Sequence, residues 1–446
     1  MPPEFIRNLG NDLIMRRACP EDADALSNFN AVVHSDDGPE EPDEGVRAWV
    51  QDLLERPHPT FQPGDFTIVE DTNTKKIVSS LNLISQTWSY EGIEFGVGRP
   101  ELVGTAPEYR NRGLVRAQFE AVHEWSAKRG HQVQAITGIP YYYRLFGYEM
   151  AMDLGGGRLG FKRYIPKLKE GEVEPFRIRL AVKEDIPFLA NLDYQSSQRY
   201  LVHCVRNEAL WLNDINGKSP KNVNRRVLLI IESVVGQPVG YFGHPPNLRN
   251  PGLVATQYEL KEGVSWSQVT PTVIRYLFTT GKQMINEAKK PIEVDGYGFW
   301  LGREHPVYTV LHDDLPRVRK PYAWYLRVTN LVEFLHHITP VLEKHLAQSP
   351  FQGYTGDLKI TFYRTGLIIG IENGRLTKIE SYVPSPVGHS GDAAFPGLTF
   401  YQLLFGYRSL DELAYAFADC WYEKEEIFGV LSALFPKKSS NLWPIA

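Results

Sequence analysis

Cysteine is scarce in this chain: Cys19, Cys204 and Cys420 are the only three in 446 residues. They stand far apart, are odd in number, and fall at no metal-ligand spacing. That excludes a disulfide framework and points to buried or free thiols in a reducing compartment. Long apolar runs are missing too. Nothing approaches the ~20 apolar residues of a membrane span. The start, Met1-Pro2-Pro3-Glu4, has no charged stretch leading into an apolar one, so no signal peptide is expected and a cytoplasmic location is. Neither charge sign dominates. With 48 basic and 53 acidic residues the formal net charge is −5, which gives no global field for nucleic acid or an anionic membrane. No metal centre is expected, because His336 and His337 are adjacent rather than one helical turn apart, and His123 and His131 lack partners. No Gly-x-Ser-x-Gly elbow supports hydrolase chemistry.

What the chain does have is an ordinary globular composition, 43% apolar and 23% charged, and a length that calls for two or three domains. Its most informative stretch is Tyr109-Arg110-Asn111-Arg112-Gly113-Leu114-Val115-Arg116, entered from Leu102-Val103-Gly104-Thr105-Ala106-Pro107. A strand-like piece meets a basic turn with one glycine. An amphipathic helix follows, with Leu114, Ala117, Phe119, Ala121, Val122 and Trp125 as its apolar positions. A helix N-terminus presents unpaired N–H groups and a positive dipole end, Gly113 permits close backbone approach, and Arg110, Arg112 and Arg116 add charge-assisted contacts. From these residues alone a phosphate site and a solvated basic helix start both stay open.

Resemblance sharpens the choice. Arg110-x-x-Gly113-x-Val115 resembles the Arg/Gln-x-x-Gly-x-Gly/Ala signature of GNAT acetyltransferases, with Val115 departing from the small residue at the last position. Downstream, Gly138-Ile139-Pro140-Tyr141-Tyr142-Tyr143-Arg144-Leu145-Phe146-Gly147-Tyr148 resembles the family's second signature, a tyrosine four residues before Gly-aromatic. The resemblance implies that the turn from Arg110 through Asn111, Arg112, Gly113, Leu114 and Val115 to Arg116 grips the pyrophosphate of acetyl-coenzyme A. It implies that backbone amides of Val103, Gly104 and Thr105 hold the pantetheine arm and thioester, and that Tyr143 is the general acid. A stacking or core role is the alternative for Tyr143 and the expectation for Tyr141 and Tyr142.

Three segments are expected: 1–157, 158–322 and 323–446. The first reads as a mixed-sheet α/β unit with strands near Leu13–Arg16, Phe66–Glu70, Ile77–Ile84 and Val133–Thr137. Gly155-Gly156-Gly157 then breaks the pattern as a hinge, since no Lys-Ser/Thr follows to make a phosphate loop. The second segment echoes the first. Met15-Arg16-Arg17-Ala18-Cys19-Pro20-Glu21-Asp22 and Ile178-Arg179-Leu180-Ala181-Val182-Lys183-Glu184-Asp185 share Arg, Ala, Glu and Asp in register, which signals an internal duplication. Around Thr272–Phe278, where the second copy's helix is expected to start, no Arg-x-x-Gly appears, so this copy reads as structural. The third segment carries a helix from Leu331 and alternating strands joined by a Glu372-Asn373-Gly374 turn. It resembles sterol carrier protein-like domains, and its apolar runs fit either a lipid tunnel or a plain core.

In this order, a GNAT unit, a degenerate GNAT unit and a sterol carrier-like cap, the chain resembles the enhanced intracellular survival family. The resemblance implies N-acetylation of small-molecule amines, aminoglycosides among them, and homo-oligomers that are commonly hexamers. It also implies a terminal carboxylate, here that of Ala446, acting as base; the apolar ending fits a docked tail with Trp443 as its anchor, and a frayed tail is the alternative. Six acids among Asp36, Asp37, Glu40, Glu41, Asp43 and Glu44 give either a solvated loop or a negative rim for a cationic acceptor, with Asp36 and Asp37 the best candidates. His34 reads as a surface residue, with contact to the acceptor as the alternative. A non-catalytic lipid-binding or scaffold protein and a protein-lysine acetyltransferase are the competing expectations.

Overall fold

The computed structural model describes residues 4–249, 252–285, 293–385 and 391–443. Strands β1 (Phe5–Gly10) and β2 (Leu13–Arg17) form a hairpin, followed by helices α1 (Ala23–Val33) and α2 (Glu44–Glu55). Asp43 caps α2 by accepting from the Gly45 and Val46 amides, so part of the acidic run builds a helix start. Then come β3 (Phe66–Asp71), β4 (Ile77–Tyr90), β5 (Ile93–Thr105), α3 (Leu114–Lys128), β6 (Val133–Ile136) and β7 (Glu149–Leu154). The β4–β5 hairpin runs past the expected end at Ile84 to a tip at Glu91-Gly92. It is covered on both faces, so its sequence lacks the in–out alternation that marks a strand with one wet face.

The second segment opens with β8 (Gly157–Phe161) and β9 (Phe176–Leu180), then α4 (Ile186–Ser197), β10 (Val202–Cys204) and α5 (Glu208–Leu212). It continues through β11 (Val227–Ser233), β12 (Pro238–His244), β13 (Val254–Ala255), β14 (Gln257–Leu260), α6 (Trp266–Met284) and β15 (Gly296–Phe299). Helix α7 (Pro306–Val310), β16 (Arg317–Arg319) and β17 (Tyr322–Val328) close this stretch. The helix expected near Thr272 begins earlier, at Trp266, because Thr270 to Thr272 lie in its buried interior.

The duplication is visible in side chains. Arg16 donates to both Asp22 oxygens at 2.8 Å and through Nε to Glu70 at 2.9 Å. In the second unit Arg179 donates to Asp185 at 2.7 and 2.8 Å and to Glu232 at 2.7 Å. Each aspartate also accepts a backbone amide, of Cys19 and Val182 respectively. The clamp ties β2 to the start of α1 and to β3 in the first unit, and β9 to the start of α4 and to β11 in the second.

The two units also exchange a strand. The first sheet runs β1-β2-β3-β4-β5-β6-β17-β7, with β10 pairing β4, while the second unit splits into β14-β12-β11-β9 and β13-β15-β8-β16. Strand β8, which follows the first unit, lies between β15 and β16; strand β17, which follows the second, lies between β6 and β7. The chain crosses out through the expected hinge, where Gly157 must be glycine: a Cβ there would fall 2.2 Å from the Phe299 carbonyl oxygen. The strand that begins the expected third segment therefore belongs to the first sheet.

The rest of that segment is a separate sheet backed by helices: α8 (Leu331–Ala347), β18 (Gly356–Thr361), β19 (Gly366–Glu372), β20 (Arg375–Tyr382), β21 (Ala393–Ala394), α9 (Phe400–Leu404), α10 (Leu410–Ala416), β22 (Trp421–Tyr422) and α11 (Glu425–Leu434). Asn373 and Gly374 turn the β19–β20 hairpin with positive φ at both positions, as the sequence predicts. Its core is continuous with one face of the first sheet: Trp88, Phe95, Val97, Trp324 and Leu326 pack with Phe334, Leu335 and Phe405. The other face of that sheet carries α3.

Candidate active site

Strands β5 and β6 pair in parallel at two positions, Val97 with Val133 and Gly98 with Gln134, and then diverge. On the open side β5 bulges. Ser80 pairs Gly104 while Asn82 pairs Glu101, and Leu102 takes φ +53°. The bulge frees backbone groups from the β4 ladder beside the gap. A buried network braces it: Ser79 Oγ lies 2.9 Å from the Gly104 carbonyl and 2.7 Å from Gln118 Oε1 on α3, and Gln118 Nε2 donates to Thr67.

A cleft of about 660 Å³ opens here. Val103, Gly104 and Thr105 form one wall, residues 109–116 the end, and the last turn of α1 with Asp36 the other side. Every residue expected to hold the coenzyme lines it: Val103, Gly104, Thr105, Arg110, Asn111, Arg112, Gly113, Leu114, Val115 and Arg116. Asn111 and Gly113 take φ +61° and +76°, which curls the turn so that α3 starts on Gly113 without a side-chain cap or an acid in its first turn. Its first amides are left open toward the cleft, the arrangement that binds phosphate. Arg110, Arg112 and Arg116 have no carboxylate partner among the described residues, so their charge is uncancelled. Arg112 stacks on Tyr109, whose hydroxyl donates to Asp71 at 2.6 Å.

The far wall is the turn Tyr142–Phe146. Tyr142 lines the cleft, so it is not simply a core ring. Tyr141 is exposed and its ring lies against the Arg144 guanidinium. Tyr143 is 4% exposed and sits behind Tyr142, among the rings of Phe119, Tyr148 and Tyr325. Its hydroxyl makes no hydrogen bond among the described residues and lies 3.2 Å from where a Cβ on Gly138 would stand. Burial pushes its pKa well above the ordinary tyrosine value, with Tyr142, Tyr322 and Tyr325 adding to the rise. It stays protonated and keeps an unused donor. Two residues that sequence reasoning missed hold this loop: the Tyr141 amide donates to the Tyr325 hydroxyl at 2.9 Å, and the Tyr322 hydroxyl donates to the Gly138 carbonyl at 2.7 Å. Both stand on the exchanged strand β17, far away in sequence.

His34 corrects another expectation. It lines the cleft as a largely buried side chain whose Nε2 has no hydrogen-bond partner among the described residues. Burial lowers its pKa, against a backbone contact with Leu102 and the charge of Asp43, so the ring is neutral near pH 7. Of the two aspartates, Asp36 lines the cleft and Asp37 does not; the Asp37 amide instead donates to Ser35 Oγ. Ala446 lies outside the described residues. The tail before it is docked: the Leu201 amide donates to the Ser439 carbonyl, the Asn441 amide to that of Val202, and Trp443 lies over the Arg226 guanidinium at 4.6 Å. No group of metal-binding side chains occurs among the described residues, and no helix there is long and apolar enough to cross a membrane.

Comparisons with known proteins agree with this geometry. Residues 16–151 match the family model of the acetyltransferase (GNAT) domain, which places the cleft and both signature turns inside a GNAT-type domain. No curated protein matches the sequence. Among solved structures, a probable N-acyltransferase from Enterococcus faecalis V583 superposes with TM-score 0.63 at 14% identity, over 96% of this chain and 97% of that one. A GCN5-related N-acetyltransferase from Kribbella flavida gives 0.60 at 17% identity over 97% of each chain. Eis1 from Mycobacterium abscessus gives 0.57 at 13% identity, over 96% and 99%. The fold of the whole chain is thus shared with these proteins.

Proposed function

We propose that the chain is an acetyl-coenzyme A-dependent N-acetyltransferase acting on a small amine. The observation that carries this reading is the basic turn opening the uncapped α3 into a cleft whose other wall is the bulged strand. The residues fit the coenzyme: phosphate to the α3 amides, Arg110, Arg112 and Arg116, and the pantetheine arm along Val103–Thr105. In the reaction a neutral amine nitrogen forms a bond to the thioester carbonyl carbon, the carbon–sulfur bond breaks, and the amine's surplus proton and the thiolate must both be dealt with. Amides of the bulged strand favour the developing oxyanion. The proton for the leaving sulfur is assigned, from the resemblance, to the Tyr143 hydroxyl, which stands behind Tyr142 and outside the cleft lining. Neutral His34, whose Nε2 has no partner among the described residues, is one candidate base lining the cleft, and the Ala446 carboxylate, expected from resemblance, is the competing one.

Asp36 beside the cleft favours a cationic acceptor such as a polyamine or aminoglycoside over a neutral one. The segment order of the enhanced intracellular survival family, with its sterol carrier-like cap and oligomeric assembly, is part of this proposal, as are the segment boundaries and a cytoplasmic site of action. Its support is that the Eis1 chain is covered almost end to end. The test is acetyl transfer to a panel of spermidine, kanamycin, an aromatic amine and a lysine peptide. The proposal expects turnover of the first two, with the peptide poorer. No turnover of any amine, together with no calorimetric binding of acetyl-coenzyme A, overturns it.

A further inference from the structure

The second unit grips the first beside the cleft, through helix α2. That helix works on two faces. One buries Val46, Val50, Leu53 and Leu54 against Leu26 of α1 and Phe66 of β3. The other presents Gly45, Asp52 and Arg56, which share a stripe because seven and eleven residues are close to whole helical turns.

A loop of the second unit seats on that stripe. Asp52 Oδ2 accepts from the Ser219 amide at 2.8 Å, the Ser219 hydroxyl at 3.0 Å and Asn222 Nδ2 at 2.6 Å. The Val223 amide donates to the Gly45 carbonyl at 3.2 Å, and a Cβ on Gly45 would stand 3.2 Å from that of Val223, so the glycine lets the loop close onto the helix backbone. Asn222 and most of the Asp52 side chain are buried, which makes these hydrogen bonds to a carboxylate strong. The loop is also anchored on its own side. Just before it, Asp214 accepts from Lys218 at 2.7 Å and faces Arg206, whose guanidinium stacks on Trp211.

From α2 the contact runs on to the cleft. The Asp43 amide, at the start of α2, donates to the Ala31 carbonyl in the last turn of α1 at 2.9 Å, and the Ser35 hydroxyl donates to the Glu41 carbonyl. Val33, His34, Ser35 and Asp36 then line the cleft. Asp52, Ser219 and Asn222 do not line it, so they reach it only through the two helices. We infer that the second unit braces the cleft wall that takes the acceptor amine, with Asp52 as the positioning residue through which it holds α2. A unit without a coenzyme turn thereby shapes the acceptor side of its neighbour.

The acceptor role of that wall rests on the transferase reading above, so the experiment has two arms. In the first, Asp52→Ala and, from the other side of the contact, Asn222→Ala are assayed in the full chain with whichever amine of the panel above turns over best. Each should lower kcat/KM for that amine about tenfold, as when a wall of the site shifts by a fraction of an ångström, with affinity for acetyl-coenzyme A within about twofold of wild type. Asp52→Asn, whose amide oxygen still accepts from Ser219 and Asn222, should recover most of the loss. In the second arm, hydrogen exchange follows the Asp43 and His34 amides in Asn222→Ala; both should exchange faster while the amides of α3 do not. Amine kinetics unchanged in both alanine variants overturn the inference. So does an equal loss of coenzyme affinity, which plain destabilisation would give. If no amine is turned over, the transferase reading fails and the exchange arm decides: faster exchange at Asp43 and His34 upholds the brace, and unchanged exchange overturns it.

Discussion

The two units of this molecule carry the same clamp, yet only one has an open, positively charged turn. In the first, Asn111 and Gly113 curl the chain so that three arginines with no carboxylate partner among the described residues and the uncapped end of α3 face one cleft. In the second, the turn before α6 contains Glu262 and Gly263, and Trp266 fills the space by packing against Tyr258 and His305. The Arg–Asp–Glu clamp recurs in both units, where it ties strand to helix. A basic turn before the long helix occurs, among the described residues, in the first unit alone. A scaffold and its site are therefore separable parts of one sequence.

The comparison breaks most sharply at Tyr143, whose hydroxyl makes no hydrogen bond among the described residues, whereas that of Tyr308, buried on α7 in the second unit, donates to the Phe299 carbonyl. Tyr143→Phe should lower kcat by about 10²–10⁴-fold, the usual worth of a positioned acid, with coenzyme affinity near wild type. Steady-state kinetics beside a binding isotherm check this, and activity within about twofold of wild type would make Tyr143 a packing residue.

Next in size is the clamp itself. Arg16→Met strands two mostly buried carboxylates, each about one-eighth exposed, and should cost about 3 kcal/mol of stability. The matching Arg179→Met strands carboxylates that are just as buried, but the arginine it removes is 37% exposed against 12% for Arg16, so water reaches the vacated site and the loss should be about 1 kcal/mol. Denaturant unfolding of both variants measures the gap; equal losses would mean that the two clamps are not graded by burial.

Arg110→Ala and Arg112→Ala should each raise KM for acetyl-coenzyme A, by about 1–3 kcal/mol in binding, with little change in kcat, because phosphate contacts are alike in ground and transition states. Unchanged KM in both would remove the turn from the coenzyme site.

A smaller effect is expected at the join with the third segment. Glu91, at the tip of the β4–β5 hairpin, accepts from His345 Nε2 at 3.1 Å and Lys438 Nζ at 2.7 Å. Burial alone would raise its pKa, but these partners hold it down to about 2, against 4.5 for a free glutamate. The sign follows from that depression. The unfolded chain takes up the proton first, so this contribution is complete above pH 4.5 and lost as pH falls toward 2. Glu91→Gln should flatten that part of the stability–pH curve; an unaltered slope would show that the contact is not coupled to folding.

The basic turn and the tyrosine loop are legible in sequence because each is a short local signal: Arg110 to Arg116 sets its own backbone, and Tyr143 keeps a fixed spacing to Gly147. The duplication is legible because the clamp needs Arg and Asp six residues apart in both copies. What is not legible depends on distant partners. Nothing in Tyr322-Ala323-Trp324-Tyr325 says that this strand inserts between β6 and β7, a pairing nearly two hundred residues away, as the Tyr322–Gly138 hydrogen bond illustrates. His34 looks like an ordinary loop histidine until the bulge of β5 closes over it. Trp266 reads as one more amphipathic helix residue, and only its contact with His305 reveals a plug.

The most direct test of the central claim, one open cleft and one closed, is the stoichiometry of coenzyme A binding to the full chain by calorimetry. The account predicts one molecule per chain, with binding abolished or severely weakened by the double change Arg110→Ala and Arg112→Ala, and no second site appearing when Trp266 is replaced by Ala. Two molecules per chain, or one that survives the double change, would contradict it.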